Sequence, residues 1–317
     1  MCGISGWLSW GSRPDPTHVV AMTDHLSHRG PDYGAVAGFD DIVLGHRRLA
    51  IIDLSDDGRQ PMSDHSGNVW ITFNGEIYNY PQLRADLEAK GHRFRSASDT
   101  EVILEAYKAW GTDCLKHLIG MFALAIWDAQ RKRLVLARDR LGEKPLFFQR
   151  LADDGLIFAS ELKGLRQHPA ASSTINADAL DDFLSLNYLL TDQCILAGVE
   201  KLPPGHALVA ERHAPVKISQ YWNLAQKFRE KRHFPSEAAA AEELDDLLQS
   251  AVRDQLLSDV PLGAFLSGGI DSSTVVAAMA RQRPEGPTTT FSLGFPERSY
   301  SELDWARESA DLFGVEN

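Results

Sequence analysis

Met1-Cys2-Gly3-Ile4-Ser5-Gly6-Trp7 opens the chain, and its second residue decides how the rest is read. A small residue after Met1 is the usual condition for removal of the initiator methionine, which leaves Cys2 with a thiol and a free α-amine. An α-amine titrates at about 7.7–8.0, far below a lysine, so much of it is neutral at cellular pH. It can take the thiol proton directly or through a water, so that one residue supplies both nucleophile and base. Gly3 lets the backbone pass close to a substrate. Taken alone, Cys2 reads as an incidental terminal residue; what lies downstream reverses that.

The downstream stretches are His28-Arg29-Gly30-Pro31-Asp32, Arg48-Leu49-Ala50-Ile51-Ile52-Asp53 and Asn74-Gly75-Glu76-Ile77-Tyr78-Asn79. With the opening residues, this ordered set resembles the class II glutamine amidotransferases. Ser98-Asp99-Thr100-Glu101, Gly120-Met121-Phe122-Ala123, Arg138-Asp139-Arg140-Leu141-Gly142 and Ala159-Ser160-Glu161-Leu162-Lys163 narrow it. Together they resemble glutamine-hydrolysing asparagine synthetase along nearly the whole chain.

The resemblance implies roles that elementary chemistry explains. Attack of the Cys2 thiolate on the glutamine side-chain amide makes a tetrahedral oxyanion, which needs fixed donors; the family places them at the Asn74 side chain and the Gly75 N–H. Without the resemblance, Asn74-Gly75 is a common hairpin-turn dipeptide. The glutamine α-carboxylate suits a guanidinium through paired hydrogen bonds, and Arg48 occupies that place. The α-ammonium suits carboxylates, at Glu76 and Asp99. Leu49, Ile51 and Ile52 complete the implied glutamine site. Read singly, Arg48 is a surface strand residue and Asp99 a first-turn acid that complements a helix dipole.

A second site is expected at Ser267-Gly268-Gly269-Ile270-Asp271-Ser272-Ser273, small residues between an apolar strand and a helix. Backbone N–H groups and the helix N-terminus can cradle phosphate, and three serine hydroxyls add donors. Asp271 could help hold Mg²⁺, which prefers oxygen ligands. No Gly-Lys dipeptide occurs, so this is not a Walker A loop. The segment is similar to the SGGxDSS pyrophosphate loop of enzymes that split ATP between its α and β phosphates. The resemblance adds Leu266 and Leu293 as adenine-nucleotide contacts. It implies glutamine, aspartate and ATP as partners, with ammonia passing to a β-aspartyl-adenylate to give asparagine, AMP and pyrophosphate. It also admits a homodimer.

Composition agrees with this and excludes other classes. The 317 residues are 44% hydrophobic and carry a net charge of −12, enough for about two domains and the wrong sign for general nucleic-acid binding. No secretory signal and no stretch of roughly 20 apolar residues is visible, so no membrane role is expected. The cysteines, Cys2, Cys114 and Cys194, suggest neither a disulfide framework nor a paired metal site, and fit a reducing cytoplasm.

The strand-rich residues 1–210 are expected to form the glutaminase domain. By the resemblance this is an N-terminal-nucleophile αββα sandwich. Strands are expected at 4–10, 42–44, 49–52 and 69–73, and a capping box at Ser98 to Glu101. Residues 211–236, polar and broken by Pro215 and Pro235, read as a linker. From 237 to 317, helix, strand, helix, strand, helix begins a parallel α/β PP-loop domain. Relatives implied by the resemblance are longer, so a truncated synthetase domain is expected, with glutaminase chemistry retained. Two alternatives stay open: transfer to another carboxylate acceptor, and a non-catalytic regulatory fragment. Relatives lacking the nucleophilic cysteine are disfavoured by Cys2. Glucosamine-6-phosphate synthase and phosphoribosyl-pyrophosphate amidotransferase are disfavoured by the serine-glycine loop.

Overall fold

The computed structural model describes residues 1–190, 193–282, 288–297 and 299–317, divided into units Met1–Arg229 and Glu230–Asn317. The first unit contains strands β1 Gly3–Leu8, β2 Tyr33–Gly38, β3 Ile42–Arg48, β4 Met62–Ser63, β5 Val69–Ile77 and β6 Gly120–Asp128. After these come β7 Arg133–Arg138, β8 Phe147–Arg150, β9 Leu156–Ala159, β10 Val199–Lys201, β11 His206–Glu211 and β12 Lys217–Gln220. They pair antiparallel into two six-stranded sheets, ordered β10-β8-β9-β1-β3-β2 and β12-β11-β7-β6-β5-β4. The helices are α1 Pro16–Asp24, α2 Tyr80–Glu88, α3 Asp99–Trp110, α4 Leu162–Leu165, α5 Ala177–Leu186 and α6 Leu224–Arg229.

The period of two along each strand turns these sheets into a sandwich. Ile42 and Leu44 of β3 meet Ala123, Ala125 and Trp127 of β6 in a core between the sheets. Val43, one residue out of phase, packs instead with Val19 and Met22 of α1. On β5, Ile71 and Phe73 pack outward against Val102, Ile103 and Ala106 of α3. Two facing sheets with helices on both outer surfaces form the αββα N-terminal-nucleophile sandwich. Each large side chain so buried contributes about 1.5–3 kcal/mol, which holds together strands too short to persist alone.

Local chemistry sets the helix starts. Asp15 caps α1 by accepting from the Thr17 N–H at 2.9 Å, with Pro16 at the first helical position, where its missing N–H costs nothing. Ser98 caps α3 by accepting from the Thr100 N–H at 3.1 Å. Glu101 does not close the expected capping box. Its carboxylate accepts from the Arg95 and Ser96 N–H groups at 3.0 and 2.7 Å, pinning the chain just before the helix.

Two expectations about strands change. Asn74 and Gly75 do not form a turn; they lie inside β5, opposite Ala123 and Phe122 of β6. Glycine is required there by close approach, since a Cβ on Gly75 would fall 2.1 Å from the Met121 carbonyl oxygen. Residues 49–52 are not a strand but an irregular segment after β3, which frees them to wrap a cavity. Part of the stretch read as linker is structured: β12 pairs with β11, and α6 follows at Leu224–Arg229.

The second unit holds α7 Glu237–Gln255, β13 Gly263–Phe265, α8 Ile270–Gln282, β14 Thr289–Phe291 and α9 Leu303–Phe313. Strands β13 and β14 pair in parallel, Gly263 opposite Thr289 and Phe265 opposite Phe291, as a strand-helix-strand unit of a parallel α/β domain does. Among the described residues no helix is long and apolar enough to cross a membrane.

Candidate active site

Cys2 enters the fold through β1, whose Gly3 pairs with Arg47 of β3. This register sets Cys2 beside the segment after β3. The Leu49 N–H donates to Cys2 Sγ at 3.4 Å, and Sγ lies 3.6 Å from the Leu49 carbonyl oxygen. The Arg29 Nε donates to the Cys2 carbonyl at 2.8 Å, and the Arg29 guanidinium in turn pairs with Glu161 at 2.7 Å. Burial alone would raise the Glu161 carboxyl, but hydrogen bonds from Arg29, His28 and Lys163 hold it down to about 2. Gly3 serves a different purpose from the one expected: a Cβ there would fall 2.9 Å from Leu26 Cβ, so it admits the segment following α1 rather than a ligand.

A cavity opens at Cys2, lined by Arg48, Leu49, Ile51, Ile52, Asn74, Gly75, Glu76 and Asp99 among others. Every residue expected of the glutamine site borders this one space. Asn74 is fully buried, and among the described residues neither its Nδ2 nor its Oδ1 has a hydrogen-bond partner. An unpaired buried amide costs about 1–3 kcal/mol, so its presence on a well-packed strand calls for a chemical reason. Arg48 is held from behind. Its guanidinium donates to the carbonyl of Ser55 at 3.0 Å, of Ile52 at 3.4 Å, and of Asp53.

The acids sit on separate elements. Asp99 begins α3 and accepts from the Ile77 N–H at 3.0 Å. Burial, with the nearby Glu76 charge, pushes its carboxyl up to about 7. Burial likewise raises Glu76. Burial also pushes the Cys2 thiol up, against the opposing effect of the Leu49 backbone, so the resting sulfur is a protonated thiol in need of a base.

Several cavity residues carried no clear signal in the sequence. Gln60 donates to Thr100 Oγ1 at 3.1 Å and accepts from the Phe73 N–H at 2.7 Å, tying the start of α3 to β5. Gly58 leaves room for the Arg48 guanidinium, since its Cβ would fall 2.3 Å from Nη2. Lys144 also borders the cavity; burial draws its ammonium below the ordinary range, opposed by Glu76. These contacts join residues remote in sequence, and only the fold displays them.

In the second unit, Gly268 turns the chain with φ +79° between β13 and α8. Ser267 and Ser272 meet across this loop, Oγ to Oγ at 3.0 Å, and the Gly269 N–H donates to Ser267 Oγ at 3.3 Å. An open pocket is lined by Leu266, Ser267, Ser272 and Leu293, with Phe291, Ser292 and Phe295. Gly268, Gly269 and Asp271 do not border it. Asp271 is exposed in the first turn of α8. Ser273 faces another cavity, beside Asp245 and Ile270.

The sandwich, with a thiol leading into an inner strand and an orphaned amide on the facing sheet, defines the class: a protein of the N-terminal-nucleophile amidotransferase fold. Residues 1–222 match the family model described as glutamine amidotransferase domain, and the chain belongs to that family. Residues 243–317 match the model described as asparagine synthase. Asparagine synthetase [glutamine-hydrolyzing] 3 of Bacillus subtilis (strain 168) is 38% identical over 94% of this chain and 48% of its own length. Asparagine synthetase [glutamine-hydrolyzing] 1 of the same organism is 38% identical over 100% of this chain and 49% of its own length. The chain thus spans about half the length of the curated relatives it matches. The solved glutamine phosphoribosylpyrophosphate amidotransferase of B. subtilis superposes with a TM-score of 0.50 at 18% identity, covering 94% of this chain and 67% of that one. At that identity the likeness concerns the fold.

Proposed function

We propose that this chain carries the glutaminase half of a glutamine-dependent asparagine synthetase. The observation that carries the reading is the unpartnered Asn74 amide in one cavity with Cys2, Arg48, Glu76 and Asp99. Exposed Met1 is removed, and the α-amine of Cys2 takes the thiol proton. The thiolate adds to the glutamine Cδ, and the resulting oxyanion accepts from Asn74 Nδ2 and the Gly75 N–H. Collapse expels the amide nitrogen, which leaves with a proton from the α-amine as ammonia. Water then hydrolyses the thioester to glutamate and restores the thiol. Arg48 pairs with the substrate α-carboxylate, Glu76 and Asp99 with its α-ammonium, and Leu49, Ile51 and Ile52 wall the methylenes.

The ammonia is destined for aspartate activated by ATP at the β-carboxylate, which yields asparagine, AMP and pyrophosphate. This reading is supported by the match of residues 243–317 and by the names of the relatives. The Ser267–Ser273 loop would hold the phosphates, and Leu266 and Leu293 would flank the nucleotide. One exposed carboxylate, Asp271, beside serine hydroxyls fits a Mg²⁺ that draws its remaining oxygens from phosphate and water. Three unpaired cysteines suit a reducing cytoplasm. Intact mass and ammonia release from glutamine test the first half: Met1 retained, or Cys2→Ala as active as the parent, ends the proposal. Aspartate-dependent pyrophosphate release tests the second.

A further inference from the structure

The space between the two sheets changes character along its length. Inward positions on β3 run Ile42, Leu44, His46, Arg48, and those on β5 run Trp70, Thr72, Asn74, Glu76. The first positions belong to, or pack against, the apolar core, whereas Arg48, Asn74 and Glu76 border the cavity. Between them lies one polar layer, His46 facing Thr72 across the sandwich. The His46 Nδ1 is 3.1 Å from Thr72 Oγ1, and Thr72 Oγ1 donates to the Gly45 carbonyl at 3.0 Å. Because the hydroxyl proton is spent on Gly45, His46 must donate from Nδ1. That fixes the neutral tautomer with a bare Nε2.

Both residues are fully buried, and among the described residues Nε2 has no partner. A buried histidine with an unsatisfied nitrogen is worse for stability than an apolar side chain of similar size. Its position suggests what it contributes. It lies two residues before Arg48 on one sheet, and its partner lies two residues before Asn74 on the other. The neighbouring inward positions of β3 and β5 on the core side meet through non-directional apolar packing, which fixes spacing less sharply than a hydrogen bond with a defined angle.

We propose that the His46–Thr72–Gly45 link is a cross-brace that makes His46 and Thr72 positioning residues for glutamine hydrolysis. It holds the strand bearing Asn74 at a fixed height over the strand bearing Arg48, which pairs with the strand that follows Cys2. The inference rests on the glutaminase reading above. The brace keeps its charge state throughout the working range, because burial, with the nearby Arg48 cation, draws the imidazole down to about 3. A misplaced oxyanion donor slows the chemical step more than it weakens substrate binding, which Arg48, Glu76 and Asp99 supply.

The test compares His46→Leu, Thr72→Val and His46→Asn in the full chain. The Asn amide can donate from nearly the place of Nδ1. Ammonia release is measured per active site titrated with a thiol-reactive glutamine analogue, so that misfolded protein does not count. His46→Leu and Thr72→Val are expected to lower kcat per titrated site roughly tenfold, less than loss of an oxyanion donor itself, with KM changed less than about threefold. His46→Asn is expected to return most of that loss. Parent-like kcat per titrated site in His46→Leu and Thr72→Val overturns the brace, as does His46→Asn no better than His46→Leu. A parent protein without Cys2-dependent ammonia release sinks the brace together with the reading beneath it, and so marks that failure apart.

Discussion

The Arg29 Nε donates to the Cys2 carbonyl oxygen at 2.8 Å, so the residue proposed as nucleophile is anchored by a side chain 27 positions away. The anchor is itself fixed by Glu161 at 2.7 Å. A terminal residue ordinarily frays; here the bonded pair holds its backbone, and the Leu49 N–H meets its sulfur. Arg29→Gln is expected to lower kcat for ammonia release by about 10–100-fold through misplacement, with little change in KM. Steady-state kinetics on the full chain checks this, and an unchanged kcat would show that β1 alone holds Cys2.

Asn74 separates stability from activity. Its amide is buried without partners, a standing cost of about 1–3 kcal/mol, yet it faces the thiol cavity. Asn74→Ala should lower kcat by about 10²–10³ while leaving the melting temperature unchanged or higher. A variant that loses stability in step with activity would mean that the amide serves the fold. Gly75 should behave in the opposite way. Gly75→Ala forces a Cβ to within 2.1 Å of the Met121 carbonyl oxygen and 2.7 Å of Phe122 Cα, both backbone atoms that cannot step aside. Lowered melting temperature and lost activity are expected together.

These two neighbours also show what the sequence could convey. The shared place of Asn74 and Gly75 beside Cys2 was legible from motif order, and the oxyanion role proposed for them rests on that juxtaposition. Their conformation was not. An Asn-Gly pair prefers turns locally, and only the pairing with Ala123 and Phe122 extends β5 through it. Residues 49–52 erred in the other direction, apolar enough for a strand but used as cavity wall. Capping by Ser98 was legible because it is local, whereas Glu101 found its partners at Arg95 and Ser96 on the preceding loop. Gln60 and Gly58 were silent because their significance lies in Thr100, Phe73 and Arg48, contacts made by the tertiary fold alone.

Asp99 predicts a pH dependence with a definite sign. Burial and the adjacent Glu76 hold its carboxyl near 7 before substrate arrives, well above the ordinary value. Below pH 7 it is protonated and neutral, so the pairing with a substrate ammonium proposed for it must expel a proton. KM for glutamine is therefore expected to rise as pH falls through about 7, by up to tenfold per unit. Because the folded state binds this proton more tightly than the unfolded chain, Asp99 also makes the ligand-free protein lose stability as pH rises from about 4 to about 7. Asp99→Asn should flatten both dependences while raising KM overall. A KM profile that stays flat in the parent protein between pH 6 and 8, a span of roughly one unit either side of the group, would remove Asp99 from substrate binding.

Gly58 tests whether Arg48 acts through substrate binding alone. The Arg48 guanidinium donates to the carbonyls of Ile52, Asp53 and Ser55, and Gly58 closes the far side of that nest. A Cβ at Gly58 would lie 2.3 Å from Nη2 and 2.7 Å from the Asp53 carbonyl oxygen, so Gly58→Ala must push the guanidinium or its loop aside. Among the described residues, neither Asn74 nor the Cys2 sulfur makes a hydrogen bond to that loop beyond Leu49. The proposed oxyanion donors, Asn74 and Gly75, should therefore keep their places while the carboxylate clamp proposed for Arg48 loosens. KM for glutamine is expected to rise by about 10-fold or more, equivalent to about 1.4 kcal/mol of lost binding, with kcat at saturation within about threefold of the parent. Should kcat fall with KM unchanged, Arg48 would be aligning the thiol or its oxyanion donors, and the α-carboxylate would have to be held elsewhere in the cavity, where Lys144 is the remaining cation among the described lining residues.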